Sequence, residues 1–316
     1  MEAHSSKCLY CYNLLGKNEI GFHPPCSKKI FGTNSPPSID FGIDDVRELA
    51  IKILGKSISV TGVQPKLSLD YEKRKGEEKR LTIVGLWGKY ILKPPFDEYP
   101  EMPEIEDLTM HLAELLKINT ARHSLIKLKS GELAYICRRF DRTKESKLHL
   151  EDMAQLTGVL TEYKYRGSME KIGEIILDYS NYSGNDVIRF FEVTLFSFIT
   201  GNSDMHLKNF SLLRDKDDEI ILSPAYDLLS TKLLIPADKE ELALSLNGKK
   251  SNLRKKDFDY FADKFSINEK ALVRIYNRYY NSFSVLDEFI QKSFISRDMK
   301  EKYSQLISDR YKILFG

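Results

Sequence analysis

The run Asp186–Ile199, DVIRFFEVTLFSFI, is apolar on most of its faces, so as a helix it must be surrounded by protein. Such a helix belongs at the centre of a lobe and needs other helices to cover it. The sequence supplies them: helical periodicity dominates from Asp152 onward, with patterns over Lys256–Lys264, Lys270–Tyr280, Ser284–Ser293 and Met299–Tyr311. The earlier part reads differently. After a helical stripe in Ile43–Leu54, residues alternate through Lys56–Leu69 and Leu81–Leu92, on either side of the charged turn EKRKGEEKR. A helix over Ile105–Leu116 and strands at Ser124–Lys127 and Leu133–Arg139 complete this half, and Phe210–Leu213 and Ile220–Ser223 form a later hairpin. A strand-rich half followed by a helical half predicts an α+β fold of two lobes with a cleft between them.

A length of 316 residues suits two lobes, and 42% hydrophobic with 30% charged residues is enough to build their cores without disulfide staples. The 48 Lys and Arg against 46 Asp and Glu leave a formal charge of only +2. No cationic surplus is available to displace phosphate counterions, so direct nucleic-acid binding is not expected. No apolar run is long enough to span a membrane, and Met1–Lys17 lacks the layout of a secretory signal, which together predict a cytoplasmic protein.

Three of the four cysteines fall in the first 26 residues. Cys8 and Cys11 form a CxxC pair, and His23 with Cys26 forms an HxxC pair, a set able to hold Zn2+ tetrahedrally in a closed, structural site. Three unrelated reduced thiols are the alternative. The Pro/Ser run Thr33–Ser38 then marks a boundary. The expected organisation is a Cys/His knuckle and linker over 1–38, a β-rich lobe over 39–145 and a helical lobe over 146–316.

The stretch GNSDMHLKNF, Gly201–Phe210, follows the buried helix directly. Asp204 and Asn209 stand five apart, the offset of a carboxylate that meets a substrate hydroxyl and an amide that holds a metal beside phosphates. Asp227, in SPAYDLLST, lies 18 residues beyond Asn209 and can supply a second carboxylate to that metal. Upstream, phosphoryl transfer needs a strand lysine and a helix carboxylate to orient it. Lys93 and Glu106 are the candidates, although a surface lysine before a Pro-Pro turn fits the position of Lys93 equally well. The segment SVTGVQPK, Ser59–Lys66, carries one glycine rather than three. Trp87 reads as core, Tyr163, Tyr165 and Phe140 as packing residues, and Cys137 as a buried apolar side chain.

Five segments in order, SISVTGVQPKLSL, YILKPP, CRRFDR with LEDMAQLTG, GNSDMHLKNF and SPAYDLLS, resemble the HipA-like serine/threonine kinase toxins from about Ser57 to the C-terminus. The short upstream region is similar to the HipT branch, whose toxins lack the larger N-terminal subdomain of HipA. The resemblance implies a two-lobed protein-kinase-like fold and an enzyme that uses ATP and Mg2+. It makes Asp204 the base or hydroxyl-orienting carboxylate, and Asn209 and Asp227 the Mg2+ ligands. Lys93 would contact nucleotide phosphates, partnered by Glu106, and Thr61, Gly62, Val63, Gln64, Pro65 and Lys66 would lie over them. Arg138, Arg139 and Phe140 would line the adenine edge, with His206, Lys208 and Tyr226 also at the nucleotide. For Arg139 and Asp141 a structural salt bridge is an equal alternative.

Ser57 and Ser59 resemble the phosphorylatable serine pair of the HipT branch. A phosphate there would repel the phosphates of ATP, giving a route to self-inactivation. The implied partners are a protein substrate such as an aminoacyl-tRNA synthetase, an antitoxin with a helix-turn-helix domain, and a separate small protein standing in for the missing subdomain. A small-molecule kinase, or a nucleotide-binding regulatory subunit acting through such an antitoxin, is the alternative. Two departures stand out: Pro65 occupies the place of a glutamate in HipA, and Met205 replaces a small residue.

Overall fold

The computed structural model describes residues 7–54, 66–72, 79–84, 87–143 and 146–316. It divides into two compact units. The first comprises Met1–Asp107, Ala121–Phe140 and Lys292–Ile295, and the second comprises Leu108–Thr120, Asp141–Gln291 and Ser296–Gly316.

The first unit contains α1 (Pro24–Phe31), β1 (Ser38–Ile39), α2 (Ile43–Leu54), β2 (Leu67–Tyr71), β3 (Arg80–Val84) and β4 (Tyr90–Lys93). After the first turns of α3 (Met102–Leu115) come β5 (His123–Lys127) and β6 (Leu133–Arg138). The strands form one six-stranded sheet in the order β1-β3-β2-β4-β6-β5. It is antiparallel except where β1 runs parallel to β3. Leu67, Leu69 and Leu92 are buried on its inner face, as the alternation predicted. Register places Lys93 opposite Tyr135. Most of Lys56–Leu69 and the tip of the charged turn lie outside the described residues. Trp87 departs from its core reading: it is 73% exposed, because it sits in the turn between β3 and β4, where strand alternation does not apply.

In the second unit, β7 (Leu150–Asp152), α4 (Met153–Leu156), α5 (Met169–Tyr179) and α6 (Ser183–Thr200) precede β8 (Ser211–Arg214) and β9 (Ile220–Leu222). Helices α7 (Thr231–Leu234), α8 (Lys255–Lys264), α9 (Glu269–Asn281), α10 (Phe283–Lys292) and α11 (Arg297–Phe315) follow. The strands make a small sheet, β7-β8-β9.

Helix α6 is the buried segment expected from the sequence, with Phe190, Phe191, Leu195, Phe196, Phe198 and Ile199 fully enclosed. Each such side chain contributes about 1.5–3 kcal/mol relative to exposure. Its polar residues are accommodated by bonding back along the helix. The Thr194, Ser197 and Thr200 hydroxyls donate to the carbonyls of Phe190, Val193 and Phe196 at 3.0, 2.8 and 2.9 Å. Asp186 in the first turn pairs with Arg189 at 2.7 Å and accepts the Leu222 N–H at 2.7 Å, which ties the helix to β9. Gly201 ends the helix at φ 67°, and a Cβ there would lie 2.8 Å from Lys232 Cβ. Only glycine fits, so α6 stops at this point and the polar loop begins. Among the described residues, no helix is long and apolar enough to cross a membrane.

Candidate active site

The loop after Gly201 is shaped by hydrogen bonds between its own side chains and backbone. Asn202 Oδ1 accepts the Asp204 N–H at 3.1 Å, and Asp204 O accepts the His206 N–H at 2.8 Å. His206 opens a short 3-10 turn, Leu207–Asn209. The turn brings Asn209 back to Asp204, where Asn209 Nδ2 donates to the Asp204 carbonyl at 2.9 Å. The five-residue offset is thus closed by a hydrogen bond that occupies the amide nitrogen and leaves Oδ1 as the atom able to accept a metal. Met205, in the middle of the loop, is fully buried.

Asp227 has φ 58°, a left-handed conformation that aspartate tolerates better than most residues. Burial holds His206 below the ordinary imidazole range, while the charges of Asp204 and Asp227 both pull the other way. Two carboxylates distant in sequence therefore act on one imidazole. The groups expected to hold Mg2+, the Asn209 amide oxygen and the Asp227 carboxylate, are oxygen donors of the kind that Mg2+ takes. Tyr226 donates to the Lys208 carbonyl at 3.0 Å and shares a hydrogen bond with Ser211 at 2.6 Å, and burial pushes its phenol pKa up.

Two residues at this loop escaped the sequence reading. Tyr165, expected as packing, is 41% exposed and hydrogen-bonds to Asp204 Oδ1 at 2.5 Å, with its ring edge-on to His206. Asp152 pairs with Lys208 at 3.1 Å and forms a capping box with Gln155 at the start of α4. The D-x-x-Q spacing within LEDMAQLTG was the available signal.

In the first unit, Lys93 is buried rather than a surface lysine, and its Nζ lies 2.5 Å from Glu106 Oε1. At the end of β6, the Arg138 and Arg139 N–H groups donate to the Arg122 and Lys89 carbonyls at 2.7 and 2.8 Å. Phe140 is half-buried. In the second unit, Asp141 pairs with Arg142 at 2.6 Å. Lys66 is exposed, whereas Ser57, Ser59 and Thr61 to Pro65 lie outside the described residues.

The structure also gathers Cys8, Cys11, His23 and Cys26, with their ligand atoms all within 4.8 Å of one another. His23 directs Nδ1 at the thiols, 3.4 Å from Cys11 Sγ and 3.9 Å from Cys26 Sγ, and its Nε2 lies 3.1 Å from the Leu14 carbonyl. A ligating imidazole usually makes such an outer bond. Burial and the negative charges of Cys8 and Cys11 push Cys26 up to about 12, a crowding that a divalent cation relieves. The set fits Zn2+.

A strand-rich unit with a buried Lys–Glu pair and a helical unit with an Asp-x-x-x-x-Asn loop make up the two-lobed protein-kinase-like fold. Two solved structures share it: the Shewanella oneidensis HipA, HipB and operator DNA complex, and the Helicobacter pylori proinflammatory kinase CtkA. The first superposes at TM-score 0.65 with 22% identity, over 82% of this chain and 66% of that one. The second does so at 0.53 with 18% identity, over 71% and 86%.

The family model for the HipA-like C-terminal domain matches residues 58–285. This chain belongs to that family. "Putative kinase Y4dM" of Sinorhizobium fredii is 34% identical over 77% of this chain and 61% of its own length. "Serine/threonine-protein kinase toxin HipA" of Shewanella oneidensis is 28% identical over 60% of this chain and 47% of its own length. The chain thus spans about three fifths of the former relative and about half of the latter.

Proposed function

We propose that this chain is a serine/threonine protein kinase that uses ATP and Mg2+ and serves as the toxin of a toxin–antitoxin pair. The observation that carries the reading is the closed loop of Asp204 and Asn209, with Asp227 acting on the same imidazole. Asp204 orients the acceptor hydroxyl and takes its proton as the new oxygen–phosphorus bond forms and the bond to the leaving ADP oxygen breaks. Asn209 Oδ1 and Asp227 would hold Mg2+, which when bound neutralises the charge of the phosphates. Lys93, positioned by Glu106, would bind the nucleotide phosphates. Arg138 to Phe140, His206, Lys208 and Tyr226 would surround the nucleotide. Zn2+ at the cysteine and histidine cluster is the structural cofactor of this reading.

Autophosphorylation on Ser57 or Ser59 would switch the enzyme off. The resemblance to the HipA-like toxins implies a translation-related protein target, such as an aminoacyl-tRNA synthetase, and a helix-turn-helix antitoxin; the solved complex of HipA with HipB and operator DNA supports an antitoxin as partner. A charge of +2 supports DNA contact through that partner rather than through this chain. The similarity to the HipT branch supports a separate small protein as a further partner.

The test is incubation with radiolabelled ATP and Mg2+, comparing wild type with Asp204→Asn and mapping phosphate by mass spectrometry. The substitution keeps the backbone carbonyl that holds Asn209, so the loop should fold. Label on protein from wild type alone, with Ser57 or Ser59 modified, is the expected result. Label on a metabolite and none on protein would sink the protein-kinase reading in favour of a small-molecule kinase.

A further inference from the structure

The Cys/His knuckle is not an appendage on the first unit. The Leu9 carbonyl accepts the Leu125 N–H at 3.3 Å and the Ser124 hydroxyl at 3.1 Å, so the knuckle covers the outer edge of β5. The hydroxyls of Tyr90 and Tyr71 donate to the Ile30 and Phe31 carbonyls at the end of α1, at 3.3 and 2.8 Å. One further contact reaches deeper. Tyr12, directly after Cys11, is 2% exposed and donates its hydroxyl to Asp107 Oδ2 at 2.6 Å.

Tyr12 reaches Asp107 from a conformation that a tyrosine does not adopt freely. Its φ is 63°, in the left-handed region, and its N–H donates to the Cys8 carbonyl at 2.9 Å. The turn that forces this geometry is the CxxC turn itself. Asp107 is fully buried, and its other oxygen lies 2.7 Å from His123 Nδ1. Its neighbour on α3 is Glu106, the partner of Lys93. The His123 ring stacks on Tyr135 at 6.0 Å, and Lys93 Nζ lies 5.4 Å from the centre of the same Tyr135 ring. Two routes, one through α3 and one across the sheet, thus run from Asp107 to the same lysine.

We infer that the metal knuckle is a strut: Zn2+ held by Cys8, Cys11, His23 and Cys26 fixes the CxxC turn, which sets Tyr12 on Asp107 and thereby the Lys93–Glu106 pair. Tyr12 and Asp107 are positioning residues, since each acts through the Lys93–Glu106 pair. The inference rests on the zinc reading of the cluster, while its main readout is independent of kinase activity. A zinc chelator or an oxidant of the thiols would act on the lysine–glutamate pair through this strut.

The experiment uses the full chain as wild type, Cys11→Ser, Tyr12→Phe and Ile20→Ala, the last changing an exposed residue of the same knuckle. Bound zinc is measured by elemental mass spectrometry, and hydrogen exchange is followed without nucleotide in peptides covering 102–107 and 123–127. We expect one zinc per chain in wild type, Tyr12→Phe and Ile20→Ala, and none in Cys11→Ser. Exchange in both segments should rise about tenfold in Cys11→Ser and Tyr12→Phe and stay at the wild-type level in Ile20→Ala. Because Tyr12→Phe retains all four ligands, it keeps the test decisive even if Cys11→Ser misfolds. Wild-type exchange in Tyr12→Phe, or a wild-type chain from zinc-replete medium that holds no zinc, overturns the inference.

Affinity for fluorescent mant-ATP with Mg2+ separates this from the kinase reading. It should fall about tenfold in Tyr12→Phe and match wild type in Ile20→Ala. A wild-type chain that binds no mant-ATP overturns the kinase reading, and the exchange result then decides the strut alone.

Discussion

Tyr165 hydrogen-bonds to Asp204 Oδ1 at 2.5 Å, while its ring meets His206 edge-on with centroids 5.1 Å apart. One aromatic side chain therefore steadies both the carboxylate and the imidazole of the loop. Its own phenol is pushed up, by burial first and then by the neighbouring carboxylate, so it stays a donor at neutral pH.

Replacing Tyr165 with phenylalanine keeps the ring against His206 and removes only the hydrogen bond. In the kinase reading, kcat should drop by about tenfold, the scale of one misplaced orienting contact, while KM for ATP stays unchanged. Steady-state kinetics would check this. A rise in KM for ATP with constant kcat would place Tyr165 at the nucleotide instead.

The Lys93–Glu106 pair makes a separate prediction about stability. Both side chains are buried, at 7% and 1% exposure. Removing one partner of such a pair costs about 3–5 kcal/mol, whereas replacing both by apolar groups is far less damaging. Lys93→Met should therefore lower the urea midpoint strongly, and Lys93→Met with Glu106→Leu should recover most of the loss. Neither variant should bind ATP tightly. Equal destabilisation in the single and double variants would show that packing, not charge, dominates at this site.

Gly201 offers a test of how the loop is started. With φ at 67° and Leu306 Cδ2 only 2.9 Å from an added Cβ, Gly201→Ala meets both backbone strain and a clash. The expected loss is about 2–3 kcal/mol, seen as a lowered melting temperature. Activity should fall further than the melting temperature implies, because the strain is passed directly to Asp204.

These residues also show what the sequence could and could not disclose. The burial of α6 and the start of the polar loop were legible, since helical periodicity and a following glycine are local signals. So was the gathering of Cys8, Cys11, His23 and Cys26, whose two short spacings each form one turn. The Tyr165–Asp204 bond was not legible, because the two residues are 39 apart and no periodicity links them. The depth of Lys93 depended on the register of β4 against β6, which the sequence does not print. Trp87 misled because a two-residue period was carried past the end of its strand.

Glu104, in the first turn of α3, gives the clearest dependence on pH. Its Oε2 is buried without a hydrogen-bond partner among the described residues. Burial, reinforced by the charges of Glu101 and Asp107, pushes its carboxyl up to about 7 from 4.5. A carboxyl raised in the folded state holds its proton where the unfolded chain has lost it. Its stabilising effect is therefore fully present below about pH 4.5 and is lost as pH rises through 7. Glutamine at this position is neutral throughout. Glu104→Gln should match wild type near pH 4.5 and exceed it by about 3–3.5 kcal/mol at pH 8, from the shift at about 1.4 kcal/mol per unit. Urea unfolding of both chains across this range reads the difference directly. A gap that is constant with pH would mean that Glu104 does not titrate in the folded protein.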